Sequence, residues 1–169
     1  MAPLLRRTWS RRGATPTLAV RARHHEKVSG MGAVIVSPRR RRLTLALALH
    51  VKVNIRGPQV QRFLQQLAHH CRGPVVLLWD RGRPHKHQVV REWLAHHPRW
   101  HVVWFPPYAP ELNPVEQLWT YLKYGRLANF APRETTEIRD AVRREQRRLD
   151  RHPALLRSFV RHSGLPFRV

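Results

Sequence analysis

Val75-Val76-Leu77-Leu78-Trp79-Asp80 is the stretch on which the fold turns. Five apolar residues closed by a charge are too few for a helix. They read as a short strand buried on both faces, as strands of parallel sheets are. Just upstream, Gly73-Pro74 stops a helix that Pro58 opens, with Val60, Phe63, Leu64, Leu67 and Cys71 on one apolar stripe. Downstream, Val89, Val90, Trp93 and Leu94 mark the inner side of a second helix. His101 to Phe105 follows as another buried strand, ended by Pro106-Pro107.

Further out, Val28 to Val36 is an apolar, glycine-containing strand and Arg39 to Arg42 a turn crowded with charge. Leu43 to Val51 sets Leu against Thr, Ala or His, a strand with one larger-residue face, so 28–51 reads as a hairpin. On the other side, Asn113-Pro114 supplies an N-cap and a first helical residue. The stripe of that third helix is Val115, Leu118, Trp119 and Leu122. Glu134 to Leu149 is a fourth helix with Ile138, Val142 and Leu149 inward, and Pro153 to Arg161 a short last one. Hairpin, helix, strand, helix, strand, helix predicts an α/β fold with a sheet of mixed direction and crossover helices. Residues 1–26 form a basic, irregular segment, 27–150 the folded domain, and 151–169 a terminal helix and tail.

A length of 169 residues suits one domain with a core, and 42% hydrophobic residues argue against wholesale disorder. The apolar run from Leu43 to Val51 is broken by Thr44 and His50 and is far shorter than the ~20 residues that cross a bilayer. No signal-type apolar region follows the N-terminal arginines, so a soluble, cytoplasmic protein without a membrane partner is expected. Cys71 is the lone cysteine, which excludes an internal disulfide and a Cys-based zinc finger. The loudest feature is charge: 32 Lys+Arg against 10 Asp+Glu gives +22, the balance of a chain that binds a polyanion. Coding bias explains a preference for Arg over Lys but not the shortage of acids.

That shortage narrows the chemistry. Before Asp80 the one acidic residue is Glu26. Asp80 stands at the carboxyl end of a strand, where ligand sites of open α/β sheets gather. A charge buried there needs a partner such as a metal ion; equally, an Asp can cap the loop through nearby backbone N–H groups. Glu116 lies in the first turn of its helix, and Asn113-x-x-Glu116 has the spacing of a capping box. Against this stands the string Phe105-Pro106-Pro107-Tyr108-Ala109-Pro110-Glu111-Leu112-Asn113-Pro114-Val115-Glu116-Gln117-Leu118-Trp119, whose prolines stiffen the approach and aim one carboxylate at a fixed point.

Together with Val-Leu-Leu-Trp-Asp, this string resembles the DDE-type transposases of bacterial insertion sequences related to the mariner group. Asp80 and Glu116 are 36 positions apart, close to the family's habitual gap. The resemblance covers nearly the whole chain. Arg6-Arg7-Thr8-Trp9-Ser10-Arg11-Arg12-Gly13-Ala14-Thr15-Pro16 is similar to the segment that follows the family's first catalytic strand. The resemblance implies an RNase H-like mixed sheet with flanking helices and three carboxylates holding two Mg²⁺ (or Mn²⁺) ions. Asp80 would be the second acid and Glu116 the third. It further implies DNA cleavage and strand transfer, with transposon ends and target DNA as partners, a homodimer, and a nucleoid-associated location in a bacterial cytoplasm.

Residues 1–5 contain no acid and Glu26 falls after the Arg-Thr-Trp segment, so the first catalytic strand and its Asp are expected to be missing and the chain inactive alone. The alternative is a non-catalytic basic nucleic-acid-binding protein. Arg81 stands where many relatives have Asn, and either contacts phosphate or is solvated. His85 contacts DNA, supports the metal site, or sits at the mouth of the second helix. Lys123, seven positions past Glu116 and thus on the same helix face, is a candidate DNA contact. So are Arg143 and Arg147 on the arginine face of 139–148; for all three, solvation is the competing reading. Trp79, Trp93, Trp104 and Trp119 read as core. Tyr108, on the loop, is either a base-stacking residue or simply exposed. The remaining histidines show no ligand spacing.

Overall fold

In a computed structural model, which describes residues 4–19, 27–37 and 42–166, the leucine alternation of 43–51 does organise the molecule. Strands β1 (Val28–Ser37) and β2 (Arg42–Val51) pair antiparallel, with Val28 opposite Val51 and Ser37 opposite Arg42. The expected charged turn lies mostly at 38–41, outside the described residues. One face of the hairpin carries Leu43, Leu45, Leu47 and Leu49. The other carries Met31, Ala33, Ile35, Ala46 and Ala48, and each face enters a different core.

The helices sort themselves onto these faces. Helix α1 (Gly57–His70) lays Val60, Phe63, Leu64 and Leu67 against the smaller face. Its start is stapled by Gln59, whose Oε1 accepts the Arg56 N–H at 3.0 Å. Its end is closed by Arg99, which donates to the carbonyls of Ala68 (3.3 Å) and Gly73 (2.8 Å) and also to Cys71. Helices α3 (Pro114–Thr120), α4 (Thr135–Arg151) and α5 (Pro153–His162) cover the leucine face with Leu118, Ile138, Val142, Leu149, Leu156 and Phe159. The hairpin is therefore the middle layer of three.

Strands β3 (Val75–Trp79) and β4 (Trp100–Trp104) pair in parallel, joined by helix α2 (Gln88–Ala95). Phe105 N–H donates to the Trp79 carbonyl at 2.9 Å and extends the ladder to the site. Two expectations are corrected here. The four strands do not form one hydrogen-bonded sheet among the described residues: β1–β2 and β3–β4 are separate ladders that share a core but exchange no ladder bonds. Nor are β3 and β4 buried on both faces. Trp79 and Trp100 pack inward with α1 and α2, whereas Val76 is 62% and Val103 46% exposed on the opposite face. The cause is that α3, α4 and α5 pack on the hairpin and leave the outer side of β3–β4 uncovered. An unbroken apolar run tells of hydrophobic residues, not of how many layers cover them.

A third correction concerns the end of α3. The chain passes from α3 into a π-helical turn, Tyr121–Arg126, in which the Leu127 N–H reaches back five residues to the Leu122 carbonyl at 2.7 Å. The wider turn advances each residue by less than the α-helical angle, so the side chains after Thr120 drift from the α3 stripe. Trp79 and Trp93 are buried as expected, and Trp104 and Trp119 partly so.

Candidate active site

Asp80 leaves the end of β3 and is more than half exposed, so its burial is too slight to demand a partner. Its carboxylate is nonetheless held. Oδ1 accepts the Gly82 N–H at 2.7 Å and meets His85 Nδ1 at 2.9 Å. The hydrogen bond from His85 is the main cause that holds the carboxyl below its ordinary value; partial burial opposes this and the Gly82 bond adds to it. Oδ2 has no hydrogen bond among the described residues. The loop-capping reading is met through Oδ1, and Oδ2 is left open.

The residues after Asp80 explain how. A Cβ on Gly82 would come within 2.9 Å of Asp80 Oδ1, so a side chain there would push the carboxylate aside. Pro84 starts a 3-10 turn, Arg83–Lys86, that brings His85 back beneath Asp80. The imidazole lies flat on Trp79, centroids 4.4 Å apart and planes at 11°. His85 therefore supports Asp80 in this structure. Arg81 gives its Nε to the Phe105 carbonyl at 3.4 Å and ties the loop after β3 to the loop after β4.

That second loop leads to Glu116. After a turn at Pro107-Tyr108 and a 3-10 turn, Pro110–Leu112, Asn113 caps α3 by accepting the Val115 N–H at 3.1 Å. The capping box suggested by the Asn113–Glu116 spacing does not form. The Asn113 N–H is already bonded to the Pro110 carbonyl at 3.0 Å, and Glu116 contributes only its own backbone N–H to Asn113. The exposed Glu116 carboxylate has no partner among the described residues. Glu111, in the 3-10 turn before the cap, is likewise exposed and without a partner among the described residues.

Helix α3 is seated by two glycines of β1. A Cβ at Gly30 would lie 2.9 Å from the Trp119 ring, and one at Gly32 would lie 3.0 Å from Val115.

Lys123 falls in the π turn, at the rim of a cavity of about 420 Å³ lined by Leu49, Trp119, Leu127 and Phe130. Arg143 and Arg147 are exposed on α4, without ion pairs among the described residues. No hydrogen bond or ion pair links Asp80 to Glu116. Among the described residues no group of three or more His, Cys, Asp or Glu side chains stands close enough to hold a metal. Carboxylate oxygens are the hard donors that Mg²⁺ or Mn²⁺ takes, and Asp80 keeps one of them free while Glu116 keeps both. They are short of the ligands a two-ion site needs.

A family model described as a DDE superfamily endonuclease matches residues 2–139. No curated protein matches the sequence significantly. Among solved structures, the chain is similar to the Mos1 transposase paired-end complex with the left transposon end, at 17% identity and a TM-score of 0.58, over 98% of this chain and 52% of that one. The Mos1 strand transfer complex gives 17% and 0.57, over 98% and 52%. The Mos1 mariner paired-end complex with Mn gives 18% and 0.56, over 99% and 53%. At this identity the likeness is one of fold, and the chain spans about half the length of these solved chains.

Proposed function

The chain belongs to the DDE superfamily endonucleases, and from that premise we propose that it is catalytic-domain material of a DNA transposase, acting on phosphodiester bonds at transposon ends. The observation that carries this reading is the state of two carboxylates. Asp80 is kept ionised and aimed by Gly82 and His85 with one oxygen to spare. Glu116, at a proline-stiffened helix start, is not consumed by capping. Both would hold a divalent cation, whose chemistry is to activate a water or 3′-hydroxyl and to stabilise the leaving oxygen. His85 and Gly82 contribute by fixing the carboxylate before any ion arrives, which lowers the cost of ordering the ligand.

We take the fold to be RNase H-like. Two ladders that share a core without exchanging bonds leave room in such a sheet for a further strand between them. A strand there, carrying a third acid, would complete a site for two ions about 4 Å apart. The chain by itself is accordingly expected to bind an ion without cutting DNA. A basic, non-catalytic nucleic-acid binder is the second reading, favoured by the net charge of +22.

Metal titration separates the two. Mn²⁺ binding, followed by calorimetry or by the spin signal of free Mn²⁺, should weaken sharply in Asp80→Asn and in Glu116→Gln, with the circular dichroism unchanged. Glu111→Gln should match the wild type. Wild-type affinity in the double variant would overturn the enzymatic reading. Mg²⁺-dependent nicking of transposon-end DNA by the chain alone, abolished by Asp80→Ala, would overturn the claim that the site is incomplete.

A further inference from the structure

Tyr108 is at odds with its surroundings in two independent ways. Its side chain is wholly exposed, at 101% of the reference area. Its backbone has φ +57°, a left-handed conformation that bulky residues rarely adopt. Neither cost is offset within the protein: ring and hydroxyl have no partner among the described residues. Glycine or asparagine would serve such a turn better. Backbone strain held at an exposed aromatic points to a task outside the fold.

The loop that holds it is rooted at Asp80. Phe105 N–H bonds the carbonyl of Trp79, and its own carbonyl accepts from Arg81, the residues on either side of Asp80. Tyr108 is three residues on, within about 11 Å of that root by chain length. Pro106, Pro107 and Pro110 restrict the path, so the ring is presented on a stiff support. The loop after β3 adds three cations to this rim, Arg81, Arg83 and Lys86, all exposed, beside the acids Asp80, Glu111 and Glu116. A polyanion laid on that rim brings its bases to Tyr108.

We propose that Tyr108 is a stacking platform for an unpaired base of the DNA strand led to Asp80. In a duplex both faces of each internal base are already stacked, so the ring gains little there. A base out of the stack, at a bulge or a broken end, offers a free π-face. This rests on the reading of the chain as DNA-acting, and names the feature of the DNA that the site selects.

The test uses the full chain and two labelled duplexes of equal length, one fully paired and one with a single 2-aminopurine bulge. The wild type should prefer the bulged duplex by roughly fivefold or more, the worth of one stacked base, and quench the 2-aminopurine. Tyr108→Ala should lose preference and quenching while keeping its affinity for the paired duplex. Tyr108→Phe should keep both, and Tyr108→Asn should melt at higher temperature than the wild type yet behave as Tyr108→Ala toward DNA. Equal binding of both duplexes by the wild type, or an unaltered preference in Tyr108→Ala, would overturn the stacking role and leave the transposase reading standing. Binding of neither duplex would overturn both.

Discussion

Ten acidic residues serve a chain of net charge +22, and those within the described residues divide by what they already hold. Glu145 is the most engaged. It is 13% exposed, takes Arg126 on both oxygens at 2.9 Å, accepts the Tyr121 hydroxyl at 3.2 Å and lies 3.9 Å from Arg148. Burial pushes its carboxyl up, but Arg126, Tyr121 and Arg148 outweigh burial and hold it below the ordinary 4.5. A carboxylate with a depressed folded value stabilises above the unfolded value, and the contribution is lost as pH falls through the folded one. Glu145→Gln should therefore cost about 1–3 kcal/mol at pH 7. The gap to wild type should shrink as pH drops below 4.5. Urea melts at pH 7 and pH 3 check this; a gap of constant size would mean that the charge adds nothing. Asp80 and Glu116 contrast with it: an acid built for stability is surrounded, whereas these two keep oxygens free. The sequence shows which residues are acids but not which are already partnered, because partners such as Arg126 come from 19 positions away.

At the scale of elements, apolar period is what the sequence conveys well. The α1 stripe, the leucine face of β2 and the inward residues of α4 all stand where their spacing puts them, since burial of a face needs only a regular repeat. What the spacing misses is set by contacts across the chain. The open outer face of β3–β4 depends on where distant helices pack, while the capping box is pre-empted by the 3-10 turn three residues before it, whose Pro110 carbonyl takes the Asn113 N–H. Gly30 is the most consequential of these for the site. Read in sequence, it only dilutes an apolar strand; in the structure it is the gap that admits Trp119. Gly30→Val should destabilise the fold by about 1–3 kcal/mol through overpacking. Because α3 carries Glu116, the same change should weaken Mn²⁺ binding, while the His85 ring resonances, which report the Asp80 contact, stay in place. Ser29→Val, on the opposite face of β1, is the comparison. Equal metal affinity in both variants would separate the seating of α3 from the site.

For the molecule as a whole, the question is where a charge of +22 is gathered. Helix α4 turns Ile138, Val142 and Leu149 into the core and leaves Arg143, Arg144, Arg147, Arg148 and Arg151 exposed. Arg148 has Glu145 nearby; Arg143, Arg144, Arg147 and Arg151 have no acidic partner among the described residues. Like charges three and four positions apart on a helix repel, so this stripe weakens the helix it decorates. A phosphate backbone laid along it would relieve that repulsion and release counterions. Each phosphate neutralised steepens the fall of log affinity with log salt concentration by about 0.9. Replacing Arg143 and Arg147 by Gln should therefore flatten that slope by about 2 for paired DNA. The loss should be the same for every sequence, because phosphate contacts carry no base information. It should also leave Mn²⁺ binding intact, since neither arginine touches a carboxylate of the site. A slope unchanged by the double substitution would make the stripe a solvated face and move the DNA path to the rim at Arg81, Arg83 and Lys86, where the same measurement on Arg83→Gln and Lys86→Gln would then find it.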